Sequence, residues 1–111
     1  VSEYTILKDG KVVPVADVLE WGRWFEDFEN RRVAKTEVGG IEISTVFLGI
    51  NHNFGSGRPL WFETMVFGGA LDQEMDRYTT LEEAVLGHER LVAQVQGMAA
   101  KGAAGGHEEI E

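Results

Sequence analysis

Two imidazoles and one carboxylate, His52, His88 and Glu63, are the side chains of this sequence best suited by type to hold a metal ion or pass a proton. Such a set matches the ligands of zinc and non-haem iron sites that keep positions open for water. The spacing does not form a motif. Metal-binding helices commonly supply two ligands one turn apart, whereas Ala84 and Val92 stand one turn to either side of His88. The alternative for His88 is a core histidine hydrogen-bonded to backbone or to Glu63. For His52 it is a loop residue among asparagines that support turns by bonding their own backbone. Glu63 lies within Leu60-Trp-Phe-Glu-Thr-Met-Val-Phe, and a lone carboxylate in an apolar strand must be paired, hydrogen-bonded or solvated. Arg31, Arg32, Arg58 and Arg77 are candidate partners. A structural ion pair is the leading reading, ahead of a carboxylate that faces a ligand.

The candidate binding residues are therefore His52, Asn53, Arg58, Glu63 and His88, with no metal and no cofactor assigned. Other chemistries have less support. Gly55-Ser56-Gly57-Arg58 lacks the lysine and the following helix of a phosphate loop, because an extended run begins at Leu60. No serine sits on a strand-to-helix turn with His and Asp ordered around it. Cysteine is absent, so neither a thiolate site nor a disulfide is available.

The elements that must position these residues can be read in order. Lys8-Asp9-Gly10 between β-prone runs predicts an opening hairpin, with Pro14 at an edge or a strand end. Asp17 and Glu20 have capping-box spacing and start a helix over 18–28, whose Val18, Trp21, Phe25 and Phe28 face the core. Gly22 in that arc is expected to let the helix approach the sheet closely. Residues 31–38 and 41–50 form a hairpin through Gly39-Gly40, with Val38 facing Ile41, Thr36 facing Ile43, Ala34 facing Thr45 and Arg32 facing Phe47. Glu37 then faces Glu42, which only a solvated face accepts. Residues 60–67 return as a third strand, and a short strand near 75–78 joins before Thr80-Leu-Glu-Glu caps the last helix. That helix buries Leu81, Ala84, Val85, His88, Val92 and Val95. Val46, Leu48 and Ile50 make the second sheet face apolar too, so it is expected to be covered or to meet another copy.

This pattern is an α+β fold: a mainly antiparallel sheet of four to six strands with two helices packed on it, in the order β-β-α-β-β-β-α. The expected core includes Trp21, Phe25, Phe28, Ile43, Phe62, Val85 and Val92. Residues 1–98 form one domain, and residues 99–111 have the composition of a flexible acidic tail. Nineteen acidic against ten basic residues give a formal charge of −9, which opposes binding to nucleic acid and anionic lipid. Apolar runs fall short of a membrane span and the start lacks an export signal, so a non-membrane setting is expected.

Five segments are similar to a known family: Asp17-Val-Leu-Glu-Trp-Gly-Arg-Trp-Phe-Glu, Arg32-Val-Ala-Lys-Thr, Ser44-Thr-Val-Phe-Leu-Gly-Ile-Asn-His, Phe62-Glu-Thr-Met-Val-Phe-Gly-Gly and Arg77-Tyr-Thr-Thr-Leu-Glu-Glu-Ala-Val-Leu-Gly-His. Together they make the chain resemble a family of small uncharacterised proteins encoded by tailed bacteriophages and prophages, over about residues 12–95. Family members often carry aspartate before the loop histidine, where this chain has Asn51, a departure that weakens a metal-ligand role there. The resemblance implies a phage origin and the host cytoplasm, and it supplies no reaction. The functional expectation is a non-enzymatic accessory protein that binds a host or phage protein, countering host defence or serving assembly, with self-association as a homodimer. The alternative is a small metal- or ligand-binding enzyme using His52, Glu63 and His88.

Overall fold

A computed structural model describes residues 4–53, 55 and 57–110, with side chains described through Met98. The chain opens with β1 (Thr5–Lys8) and β2 (Lys11–Pro14), paired antiparallel so that Lys8 faces Lys11 and Thr5 faces Pro14. Asp9 and Gly10 turn the corner at φ of 51° and 77°, the pair of positive values that a type I′ turn demands. Pro14 ends β2, where no ladder donor is needed. The hairpin is a separate two-stranded sheet. Thr5 ties it to the rest of the fold, since both its N–H and its hydroxyl donate to the Gly49 carbonyl at 2.9 Å.

The first helix, α1 (Val18–Glu26), starts where the Asp17 carboxylate accepts from the Leu19 N–H at 2.9 Å. It ends earlier than expected. Asp27 adopts an extended conformation and its carboxylate caps a new turn, α2 (Phe28–Arg31), by accepting from the Glu29 N–H. That break swings Phe28 out of the helical arc, so it is 41 % exposed instead of core. Trp21 and Phe25 are half-buried, stacked with ring centroids 4.5 Å apart, and the Trp21 indole donates to the Thr5 carbonyl at 2.9 Å. The close approach expected at Gly22 is absent, since nothing lies within 4 Å of where its Cβ would be. Gly49 supplies it instead: at φ 77°, a Cβ there would stand 3.1 Å from the Phe25 ring and 3.3 Å from the Trp21 indole.

Strands β3 (Arg32–Val38), β4 (Ile41–Phe47), β5 (Phe62–Phe67) and β6 (Met75–Tyr78) form an antiparallel sheet in that spatial order. The β3–β4 register matches the sequence reading from Val38↔Ile41 to Ala34↔Thr45. Beyond it a bulge between Arg32 and Ala34 sets Arg32 opposite Val46 in place of Phe47, because the extra residue on one strand shifts all later pairings. The Glu37–Glu42 pair is bridged by Lys35, 3.8 Å from one carboxylate and 3.4 Å from the other.

The last helix, α3 (Leu81–Ile110), opens on a complete capping box: the Thr80 hydroxyl accepts from the Glu83 N–H, and the Glu83 carboxylate accepts from the Thr80 N–H, both at 3.1 Å. It lies on the sheet face that carries Ile43, Thr45, Phe47, Phe62, Thr64 and Val66, all fully buried. Its own buried stripe is Ala84, His88, Leu91 and Val95. The spacings of four, three and four residues put that stripe one helical flank away from Val85, which is 41 % exposed rather than core, while Leu91 takes the place expected for it. Val92 is partly buried and, like Val38 and Ile41, packs against the cluster of Ile43, Val66, Leu91 and Val95. The stretch read from composition as a tail retains helical backbone to Ile110, and its side chains lie outside the described set. The molecule is thus an α+β fold of two antiparallel sheets with helices packed on them. Among the described residues, no helix is long and apolar enough to cross a membrane.

Candidate functional site

Three separate environments receive the five residues singled out above. The first is the loop between β4 and β5. Asn51 organises it: its side-chain oxygen accepts from the Asn53 and Leu60 N–H groups, each at 2.8 Å. Asn53 accepts from the Gly55 N–H and donates to the Arg58 carbonyl, closing a compact turn as Asx residues do. His52 holds the Ile50 carbonyl at 2.9 Å through Nδ1. Arg58 reaches across to α3 and makes a two-pronged ion pair with Glu83 at 3.0 and 3.1 Å. The guanidinium is the main reason that the Glu83 carboxyl titrates below its usual range. The expected binding loop is thereby pinned to the capping box of α3.

The second environment is the outer face of the four-stranded sheet. Because Phe62 and Thr64 point under α3, their neighbour Glu63 points away from it. Its carboxylate accepts from Arg77 Nε at 2.9 Å, across the Glu63↔Arg77 register pair of β5 and β6, with the two side chains 18 % and 32 % exposed. Arg77 is thus the partner among the four arginines considered. Glu63 borders an open depression of about 260 Å³ lined by Phe28, Glu42, Val46, Met65 and Phe67. α3 lies on the opposite face, α2 contributes Phe28 to this lining, and Phe67 and Phe28 are each 41 % exposed.

The third environment is interior. His88 is buried between α3 and the sheet, where Nε2 meets the Thr36 hydroxyl at 2.8 Å and Nδ1 meets the Thr45 hydroxyl at 2.7 Å. Thr45 in turn bonds Thr64. The expected bond from His88 to backbone or Glu63 is replaced by these threonines, because Glu63 lies on the other face of the sheet. Both ring nitrogens are occupied, so one donates and the other accepts in a neutral imidazole. Burial pushes the His88 pKa below its ordinary value, opposed weakly by Glu89. Tyr78 ends this polar row. Its hydroxyl is buried with no hydrogen-bond partner among the described residues, and burial raises its pKa; Thr64 lies close enough to oppose that shift without completing a bond.

His52, Glu63 and His88 therefore do not converge. One is in a loop, one on the outer face and one beneath the helix, and among the described residues no three His, Asp or Glu side chains are grouped to hold a metal ion. The residues that sequence reasoning missed are Thr36, Thr45, Thr64 and Tyr78. A signal was present, since three threonines at core-facing strand positions and a histidine in an apolar helical stripe are polar groups that must satisfy one another. No protein family, curated protein or solved structure matches the chain.

Proposed function

We propose that this chain is a non-enzymatic binding protein of phage or prophage origin that engages a host or phage protein in the host cytoplasm, countering a host defence or serving assembly. The observation that supports binding is the outer face opposite α3, where Phe28, Val46, Met65 and Phe67 line a depression bordered by Glu63 of the half-buried Glu63–Arg77 pair. An apolar patch with a charged pair at its margin has the anatomy of a protein-recognition surface. The phage setting rests on the sequence resemblance. The enzyme alternative built on His52, Glu63 and His88 gains nothing from geometry, because those side chains occupy three separate places.

The test is affinity capture from infected cells with the wild-type chain, a Val46→Asp/Met65→Asp variant of the outer face, and a Leu19→Ser control on α1, all checked for folding. A partner identified by mass spectrometry and rebuilt from purified components, bound by wild type and control and lost by the outer-face variant, is the expected result. Equal capture by all three chains would refute the surface assignment.

A further inference from the structure

Among the described strands, β3 lies at an edge of the sheet, with β4 as its one neighbour. Gly39 and Gly40 turn at φ of 54° and 83°, the type I′ pattern that makes Val38 and Ile41 a hydrogen-bonded pair. Thr36↔Ile43 and Ala34↔Thr45 follow in step, so these residues direct N–H and C=O toward β4. Lys35 and Glu37 alternate with them and direct theirs outward. Among the described residues, the backbone bonds made outside helices and ladders use none of these outward groups. An open edge of this kind is a template for another strand.

We infer that the occupant is a second copy of the chain, with β3 pairing antiparallel to its twin about a twofold axis at Thr36. Hydrogen bonding restricts the choice of register, since outward-directed residues must oppose outward-directed residues. Centring on Lys35 sets two ammonium groups face to face, and centring on Glu37 does the same with two carboxylates; both are disfavoured. Centring on Thr36 sets Lys35 opposite Glu37 twice, Ala34 opposite Val38 twice, and Thr36 opposite itself. Lysine and a nearby bulge are devices that keep edge strands from indiscriminate pairing. Here Lys35 penalises the wrong registers while permitting one, and the bulge lies outside the paired segment. The other edge offers no equivalent, because centring β6 between Met75 and Arg77 puts Asp76 opposite Asp76.

The helix above supplies a second observation. Gly87 rests against Tyr78, and Leu91 and Gln94 line a depression with Glu74, Met75 and Asp76, so that flank of α3 faces β6. The opposite flank carries Val85 and Val92 on the side of α3 that meets β3, where His88 bonds Thr36 and where Val92 and Val38 pack against the same buried cluster. A twofold axis normal to the sheet brings both α3 helices to the same face with these flanks turned toward each other. It gives the exposed Val85 a cover. The inference goes beyond the outer-face reading and stands apart from it, because the edge lies in the plane of the sheet and leaves both outer faces open side by side.

Light scattering of the full chain, from micromolar to millimolar concentration, is expected to show a mass approaching twice the 12.3 kDa chain. Glu37→Lys and Lys35→Glu, each shown by circular dichroism to be folded, should raise the dissociation constant by roughly a hundredfold or more. Mixing the two variants should restore a dimer, since every opposed pair in the mixed species is again lysine against glutamate. The double variant Lys35→Glu/Glu37→Lys should dimerise alone. Should a charge variant fail to fold, Glu37→Pro removes both the Glu37 carboxylate and one outward N–H, leaves the bonds to β4 in place, and is expected to be a monomer. A wild type that stays monomeric throughout overturns the inference. So does a dimer indifferent to these substitutions, or a mixture of folded variants that remains monomeric.

Discussion

At the scale of single residues, the contrast between Glu63 and Thr45 separates a surface group from a structural one. Glu63 is paired with Arg77 in a partly solvated setting, so Glu63→Gln should cost no more than about 1 kcal/mol in a urea melt. Thr45→Val conserves shape yet strands His88 Nδ1 and the Thr64 hydroxyl in the interior, and it should cost about 1–3 kcal/mol. A larger loss at Glu63 than at Thr45 would reverse that assignment. His88 adds a pH dependence whose sign is set by its lowered pKa. The unfolded chain takes up a proton near the ordinary histidine value of about 6.5, while the folded chain resists it until lower pH. More protons on the unfolded state means stability that rises with pH. Denaturant melts between neutral pH and about pH 5 should therefore show falling stability, with the slope reduced in His88→Gln.

At the scale of elements, two helical glycines make opposite predictions from one substitution. Alanine normally favours a helix over glycine by about 1 kcal/mol, and Gly22 in α1 has open space where a methyl would go, so Gly22→Ala should stabilise by up to roughly that amount. Gly87 in α3 carries the Tyr78 ring and hydroxyl against its Cα, and a methyl there would overlap both. Gly87→Ala should destabilise by about 1–3 kcal/mol despite the gain in propensity, because buried Tyr78 cannot move without reopening the cluster of Phe47, Phe62 and Ala84. Thermal melts of the two variants settle the signs. The same pair shows why α3 is drawn onto the sheet more tightly than α1: one glycine seats a buried ring, and the other faces space.

At the scale of the whole molecule, the formal charge of −9 is a destabilising field that salt screens. Its ion pairs lie mostly at the surface and lose little on screening. Stability in urea should thus rise between low and high sodium chloride. Salt also separates two effects that oppose one another on acidification. Protonating carboxylates relieves repulsion as the pH falls toward the isoelectric point of about 4.7, while His88 loses stability over the same interval. At high salt the repulsion is muted, and the His88 slope should appear more steeply.

The turns, caps and strand register of this protein were legible in its sequence because each depends on residues close together in the chain. Asp9-Gly10, Gly39-Gly40, Asp17 and the Thr80–Glu83 box each constrain φ or satisfy backbone donors within a few positions. The alternation of β5 likewise tied the side taken by Glu63 to that of Phe62. Other features waited on the tertiary structure. The second cap at Asp27, the bulge that moved Arg32 to Val46, and the exchange of Val85 for Leu91 each follow from how far a helix or strand is rotated against its neighbour. The partners of His88 were of the same kind. Histidine in an apolar stripe announced a buried polar group, but only the layering of α3 over β3, β4 and β5 selected Thr36 and Thr45 rather than Glu63, because a sheet divides adjacent residues between two faces that never meet.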